Sequence, residues 1–104
     1  GKWLLRRWLA QHAPAARPFA RKQGFTVPIG TWIAQDGQKL GALVARQDCI
    51  AEIAHPERVR ALFMAADKTR EGACAWGLLF YALWHRTHVQ ARPLAGDVFE
   101  TLAV

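Results

Sequence analysis

Residues 69–88 read Thr69-Arg70-Glu71-Gly72-Ala73-Cys74-Ala75-Trp76-Gly77-Leu78-Leu79-Phe80-Tyr81-Ala82-Leu83-Trp84-His85-Arg86-Thr87-His88. Trp76, Leu79, Phe80, Leu83 and Trp84 recur at spacings that suit an α-helix and mark its main face. Cys74, Ala75, Leu78 and Ala82 make the other sides apolar too, so this segment is expected to be a central core helix, covered nearly all round by its neighbours.

The elements on either side are also helical. Pro56 suits the first position of a helix, with Glu57 near the positive end of its dipole and Val59, Leu62, Phe63 and Ala66 on one stripe, ending near Asp67. Asp48 to Ala54 reads as a turn or short helix. Thr31 suits the N-cap of a helix carrying Trp32, Ile33, Leu40, Leu43 and Val44. Gly37 and Gly41 each cost about 1 kcal/mol relative to alanine there, which predicts a break near Asp36 or Gly37. From Lys2 to about His12, Trp3, Leu4, Leu5, Trp8 and Leu9 form an amphipathic pattern, with Trp3 and Trp8 expected to face a core. Pro14 stops that helix, and a loop from Ala13 to Gly30 follows, long enough to suggest a functional role. At the other end, Pro93 and Gly96 interrupt residues 93–104, a tail expected to be weakly ordered unless Val98, Phe99 and Leu102 dock. No sustained period-2 alternation and no internal repeat occur. The fold expected is all-α, a compact bundle of about four to five helices with a long ordered loop between the first two.

The chain has 104 residues, 52% of them hydrophobic and 21% charged, enough apolar surface for one folded domain and no room for two. The uncharged run from Ala73 to Trp84 falls well short of the roughly 20 apolar residues that a membrane-spanning helix needs. The first residue is Gly1, which reads as a processed, engineered or excised piece. The net charge of +6 is all N-terminal: residues 1–47 hold eight cations and one anion, a net +7, and residues 48–104 hold six cations and seven anions, a net −1. Such a field favours an anionic partner, whether nucleic acid, nucleotide phosphate or an acidic protein surface. Cys49 and Cys74 fit no C-x-x-C or zinc-ligand spacing and read as reduced, small buried hydrophobes of a cytosolic protein. His85 and His88 stand one helical turn apart, but a zinc site needs at least a third ligand, and they read as surface histidines. There is no Ser-His-Asp arrangement, Walker lysine loop or glycine-rich dinucleotide turn.

The long loop contains Arg21-Lys22-Gln23-Gly24-Phe25-Thr26-Val27-Pro28, two cations joined to a glycine and an apolar anchor. Gly24 allows a close backbone approach to a ligand or a positive φ, Phe25 can pin the loop, and Pro28 fixes its exit. A lysine held on a pinned loop meets phosphate as a point charge; the competing reading is a solvated loop lysine.

The string Lys22-Gln23-Gly24-Phe25-Thr26-Val27-Pro28-Ile29 with Trp32 resembles the R-P-K-Q-G-F-x-V-P-x-x-x-W motif of glutamine-hydrolysing asparagine synthetases. Lys2-Trp3-Leu4-Leu5-Arg6 with Pro14 resembles the K-x-L-L-R helix and proline that precede that motif, and residues 76–84 resemble the W-x-L-L-x-x-x-x-W helix that ends the synthetase domain. The agreement in order and spacing covers about residues 2 to 88. Two departures stand out: Ala20 replaces the motif arginine and Arg21 the adjacent proline, while Arg17-Pro18 lies upstream as if displaced.

The resemblance implies that residues 1–92 are the C-terminal part of an ATP-dependent synthetase domain. It implies a whole enzyme, an amidotransferase of asparagine biosynthesis, that activates the side chain of aspartate as an acyl-adenylate and lets ammonia, released from glutamine by a glutaminase domain, displace AMP. Lys22 maps onto the lysine that neutralises phosphate charge during adenylation, and Gly24 onto the motif glycine; Arg21 or Arg17 would supply the lost cation. The S-G-G-x-D-S pyrophosphate loop and the N-terminal cysteine nucleophile are absent from this sequence. ATP with Mg2+ is therefore expected for the whole enzyme only, the chain alone is expected to be inactive, and the location expected is cytoplasmic. Relatives of the same fold, such as β-lactam synthetase, share the lysine and use other carboxylates. The alternatives are a small basic helical module that binds nucleic acid and a structural domain that forms homodimers through exposed apolar surface.

Overall fold

The computed structural model describes residues 2–21, 24 and 27–104. Among them there is no strand, and the all-α class is as expected. The helices are α1 (Trp3–His12), α2 (Ile29–Gln35), α3 (Gly37–Ala45), α4 (Asp48–Ala51), α5 (Pro56–Met64), α6 (Thr69–Trp84) and α7 (Val98–Ala103). A 3₁₀ turn spans Pro14–Ala16, and a π-helical turn, His85–Val89, continues α6. The local signals account for most boundaries: Pro56 is the first residue of α5, and Asp36 breaks α2 from α3 with φ −116°. The N-cap of α2 is Pro28, where Thr31 was expected, because the fixed φ of proline already suits a helix entry.

The core lies between α2, α3, α5 and α6, with Ile33, Val44, Ile50, Val59 and Phe63 among its buried side chains. The most extensive helix contact is α3 on α5, followed by α2 on α6. Both depend on missing side chains. A Cβ at Gly41 would stand 2.9 Å from the Phe63 Cβ, so the glycines that weaken α3 as an isolated helix let α5 close on it. Gly30 and Gly72 face each other where α2 crosses α6, and a Cβ on Gly72 would fall on the Ala66 carbonyl oxygen and 3.1 Å from the Gly30 Cα. Neither obstacle is a flexible side chain. Gly72→Ala should therefore force the helices apart and cost about 1 to 3 kcal/mol, the usual penalty for overpacking. That is roughly 4 to 8 °C in Tm per kcal/mol for a domain of this size. Thermal unfolding reads it directly, and an unchanged Tm would mean that the crossing relaxes freely.

Three expectations are corrected. α6 is not covered all round: it buries Gly72, Ala75, Leu79 and Ala82, while Trp76, Phe80 and Trp84 are exposed, Phe80 by 58%. The close crossing at Gly72 selects the small-residue stripe for the interior, and the bulky aromatics fall on the neighbouring stripe. Trp76 and Phe80 then pack against each other, 6.1 Å between ring centroids. Likewise Trp3 and Trp8 do not face a core: α1 buries no residue, and its main neighbour is the adjacent 3₁₀ turn. Its aromatic groups are partnered locally, Trp8 stacking on His12 at 4.3 Å and Arg7 lying 5.2 Å over Trp3. The bundle is in consequence not compact. It measures 56 × 30 × 25 Å with a radius of gyration of 19.3 Å, against about 13 Å for a compact domain of this length.

The C-terminal segment meets its docking condition. Asp97 and Glu100 form a reciprocal capping box at the start of α7, Leu102 is buried, and the Gln47 amide donates to the Leu102 carbonyl at 3.0 Å. The two cysteines were both expected to be buried, and for Cys74 this is corrected. Cys49 is buried, and burial pushes its thiol pKa up, whereas Cys74 lies on the outer side of α6 and is exposed. Since the thiolate is the nucleophile, a maleimide should label Cys74 in the folded chain and reach Cys49 only after denaturant is added. Mass spectrometry before and after unfolding checks this, and equal labelling rates would contradict the packing of α4.

Candidate functional site

The loop between α1 and α2 holds the motif residues. It leaves α1 at Ala13, makes the 3₁₀ turn from Pro14, and turns again at Arg17, whose φ of 47° lies in the left-handed region. The Ala20 amide closes this turn on the Arg17 carbonyl at 2.9 Å. Arg21 follows, exposed to solvent, and Gly24 is exposed as well. Lys22, Gln23, Phe25 and Thr26 lie outside the described residues, so the anchoring expected of Phe25 and the placement of Lys22 do too. At Gly24 an added Cβ would meet nothing within 4 Å among the described residues. Beyond it, the Ile29 amide donates to the Val27 carbonyl at 2.8 Å, and Pro28 directs the chain into α2.

Where the loop enters the helical body there is an open cleft of about 300 Å³, formed by residues 27–31 on one side and by residues 66–69, Gly72 and Ala73 on the other. Arg21 and Gly24 do not line it. Lys68 does, and sequence reasoning missed this residue. Lys68 is the N-cap of α6, and the first backbone bond of that helix runs from the Gly72 amide to the Lys68 carbonyl at 2.7 Å. The N-terminus of α6, with its positive dipole end, thus borders the cleft together with Lys68 and Asp67, one cation and one anion. Among the described residues the ion pair Arg60–Glu57 lies on α5, and none involves Arg17 or Arg21. The loop thus presents cationic charge to solvent, which suits phosphate oxygens. No group of three or more metal-ligating side chains occurs among the described residues, His85 and His88 included. None of the described helices is long and apolar enough to cross a membrane.

Comparison with known proteins points to the family that the motifs resemble. A family model described as Asparagine synthase matches residues 1–86. No curated protein and no solved structure matches the chain.

Proposed function

Since the chain belongs to the asparagine synthase family, we propose that it is the C-terminal part of the synthetase domain of an ATP-dependent amide ligase. The whole enzyme adenylates a carboxylate, aspartate in the family, and ammonia displaces AMP; a glutaminase domain supplies the ammonia from glutamine. The match over residues 1–86, most of the chain, carries this reading. It covers the loop with Lys22, Gly24 and Arg21 and the helix that carries Trp76 and Trp84.

The loop fits a polyphosphate on its own chemistry, since its described part adds Arg17 and Arg21 to an open glycine position. Lys22 and Arg21 would hold phosphate oxygens, and Gly24 would let the backbone come close to them. ATP with Mg2+ supplies the activating adenylyl group. No carboxylate stands between Ala13 and Pro28, so the ligands of Mg2+ would come from the rest of the domain. The exposed apolar faces of α1 and α6 are where that remainder would dock. A cytoplasmic location fits an ATP-consuming ligase with two unpaired thiols.

The isolated chain should form no AMP from ATP and aspartate with ammonia present. A coupled AMP assay tests this, and turnover by the pure 104-residue chain would overturn the assignment of the remaining machinery to other sequence.

A further inference from the structure

We propose that α6 pairs with α6 of a second copy of this chain, antiparallel, along the stripe Arg70, Ala73, Gly77, Phe80 and Trp84. These residues are spaced alternately by three and four, the 3.5-residue repeat of a two-helix seam, and all of them are exposed. The buried residues Gly72, Ala75, Leu79 and Ala82 repeat in the same way two places on, about 200° round the helix. One stripe therefore faces the body and the other faces outward. On the ligase reading the remainder of the domain docks on this outer face; in the 104-residue chain a second copy takes its place, and the AMP assay judges that reading separately.

The stripe complements itself only when one copy runs against the other. Its first half is small, Ala73 and Gly77, and its second half is bulky, Phe80 and Trp84. Antiparallel pairing sets Phe80 over Gly77 of the second copy and Trp84 over its Ala73, and the two-fold axis repeats both layers. Parallel pairing would set Phe80 against Phe80 and Trp84 against Trp84, hold the helices apart there, and leave Ala73 and Gly77 across a gap. It would also bring Arg70 level with Arg70, two like charges. The antiparallel arrangement instead sets Arg70 one turn beyond Trp84 of the second copy, within reach of its indole face, where a cation is attracted. Gly77 fits the same geometry. It weakens the interior of α6, and an added Cβ there would meet nothing within 4 Å among the described residues, in contrast to Gly72, which the crossing with α2 requires. Trp84 is 45% exposed and Trp76, beside the seam, 41%; with Phe80 they offer roughly 300 Å² of aromatic surface per copy. Together with the rest of the stripe, the pair buries on the order of 1,000 Å², near the lower limit for a specific interface. The dimer is therefore expected to be weak and to dissociate in the micromolar range.

Sedimentation equilibrium of the 104-residue chain, from micromolar to millimolar concentration, tests the pairing. A reversible monomer–dimer equilibrium is expected. Gly77→Leu should weaken it at least about tenfold by blocking the closest approach, while the Tm of the dilute chain stays the same or rises, since leucine suits a helix better than glycine. Phe80→Ala should also weaken it about tenfold and leave the dilute chain folded. Arg70→Gln separates the two orientations: the antiparallel pair loses a cation over the indole and loosens, whereas a parallel pair would lose a like-charge contact and tighten. Trp8→Ser, on the exposed face of α1, should leave the dimer unchanged. A chain that stays monomeric at millimolar concentration would overturn the proposal and leave the face to the remainder of the domain. So would open-ended association, a dimer tightened by Arg70→Gln, or one that survives Gly77→Leu and Phe80→Ala but is lost in Trp8→Ser.

Discussion

Replacing Phe63 with alanine should destabilise the chain by about 3 to 5 kcal/mol, the usual cost of emptying a buried aromatic site. Phe63 is the largest fully buried side chain, and it fills the space left by Gly41 at the closest approach of α3 to α5. Both walls of that space are helix backbone and cannot collapse without moving α5 along α3. Against a total stability of about 5 to 15 kcal/mol for a typical domain, the loss would lower the urea midpoint steeply or leave the chain unfolded. Phe80→Ala is the matched control. Phe80 has the same chemistry but lies on the outer stripe of α6, and its replacement should stay within about 0.5 kcal/mol. Equal effects at the two positions would mean that α6 faces the body with its aromatic stripe.

The second large effect concerns Lys22 in the full-length enzyme. Lys22→Ala should slow the synthetase half-reaction by a factor of about 10² to 10³, or 3 to 4 kcal/mol, while glutamine hydrolysis continues. Adenylation pushes negative charge onto bridging and non-bridging phosphate oxygens, and a fixed ammonium in a water-poor cleft stabilises that charge more than the ground state. Arginine should restore little, because its planar fork does not occupy the place of a compact ammonium. The neighbours Arg21 and Gly24 are exposed, so the fold should survive the change. ATP–pyrophosphate exchange is the readout, and a folded variant within about threefold of the parent rate, far inside the expected factor, would reduce the motif to a structural loop.

Helix punctuation was legible because it is local. Pro56 opens α5 and Asp36 divides α2 from α3, each through a backbone preference that acts within one turn. Which stripe of a helix faces inward was not legible wherever every stripe is apolar. Trp76, Phe80 and Trp84 offer more area than Gly72, Ala75 and Ala82, yet the crossing with Gly30 admits only the small residues. Arg86 escaped notice for the same reason, since its place in the interior follows from the small stripe and not from the aromatic one. In the loop, the order of Lys22, Gly24 and Pro28 was readable as a motif. The neighbouring cleft was not, because Lys68 reaches it from a part of the chain far off in sequence.

The separation of α1 from the core has a thermodynamic consequence. A helix of 10 residues without tertiary contacts is marginal in water, so α1 draws almost nothing from the folding of residues 29–104. The chain thus has two free energies of opening. Amides in α3 and α5 exchange with solvent only when the whole body unfolds, while those of α1 exchange at the cost of a local fraying close to zero. A denaturation curve monitored by tryptophan fluorescence would mix the two, because Trp3 and Trp8 report on the first process and Trp32, Trp76 and Trp84 on the second.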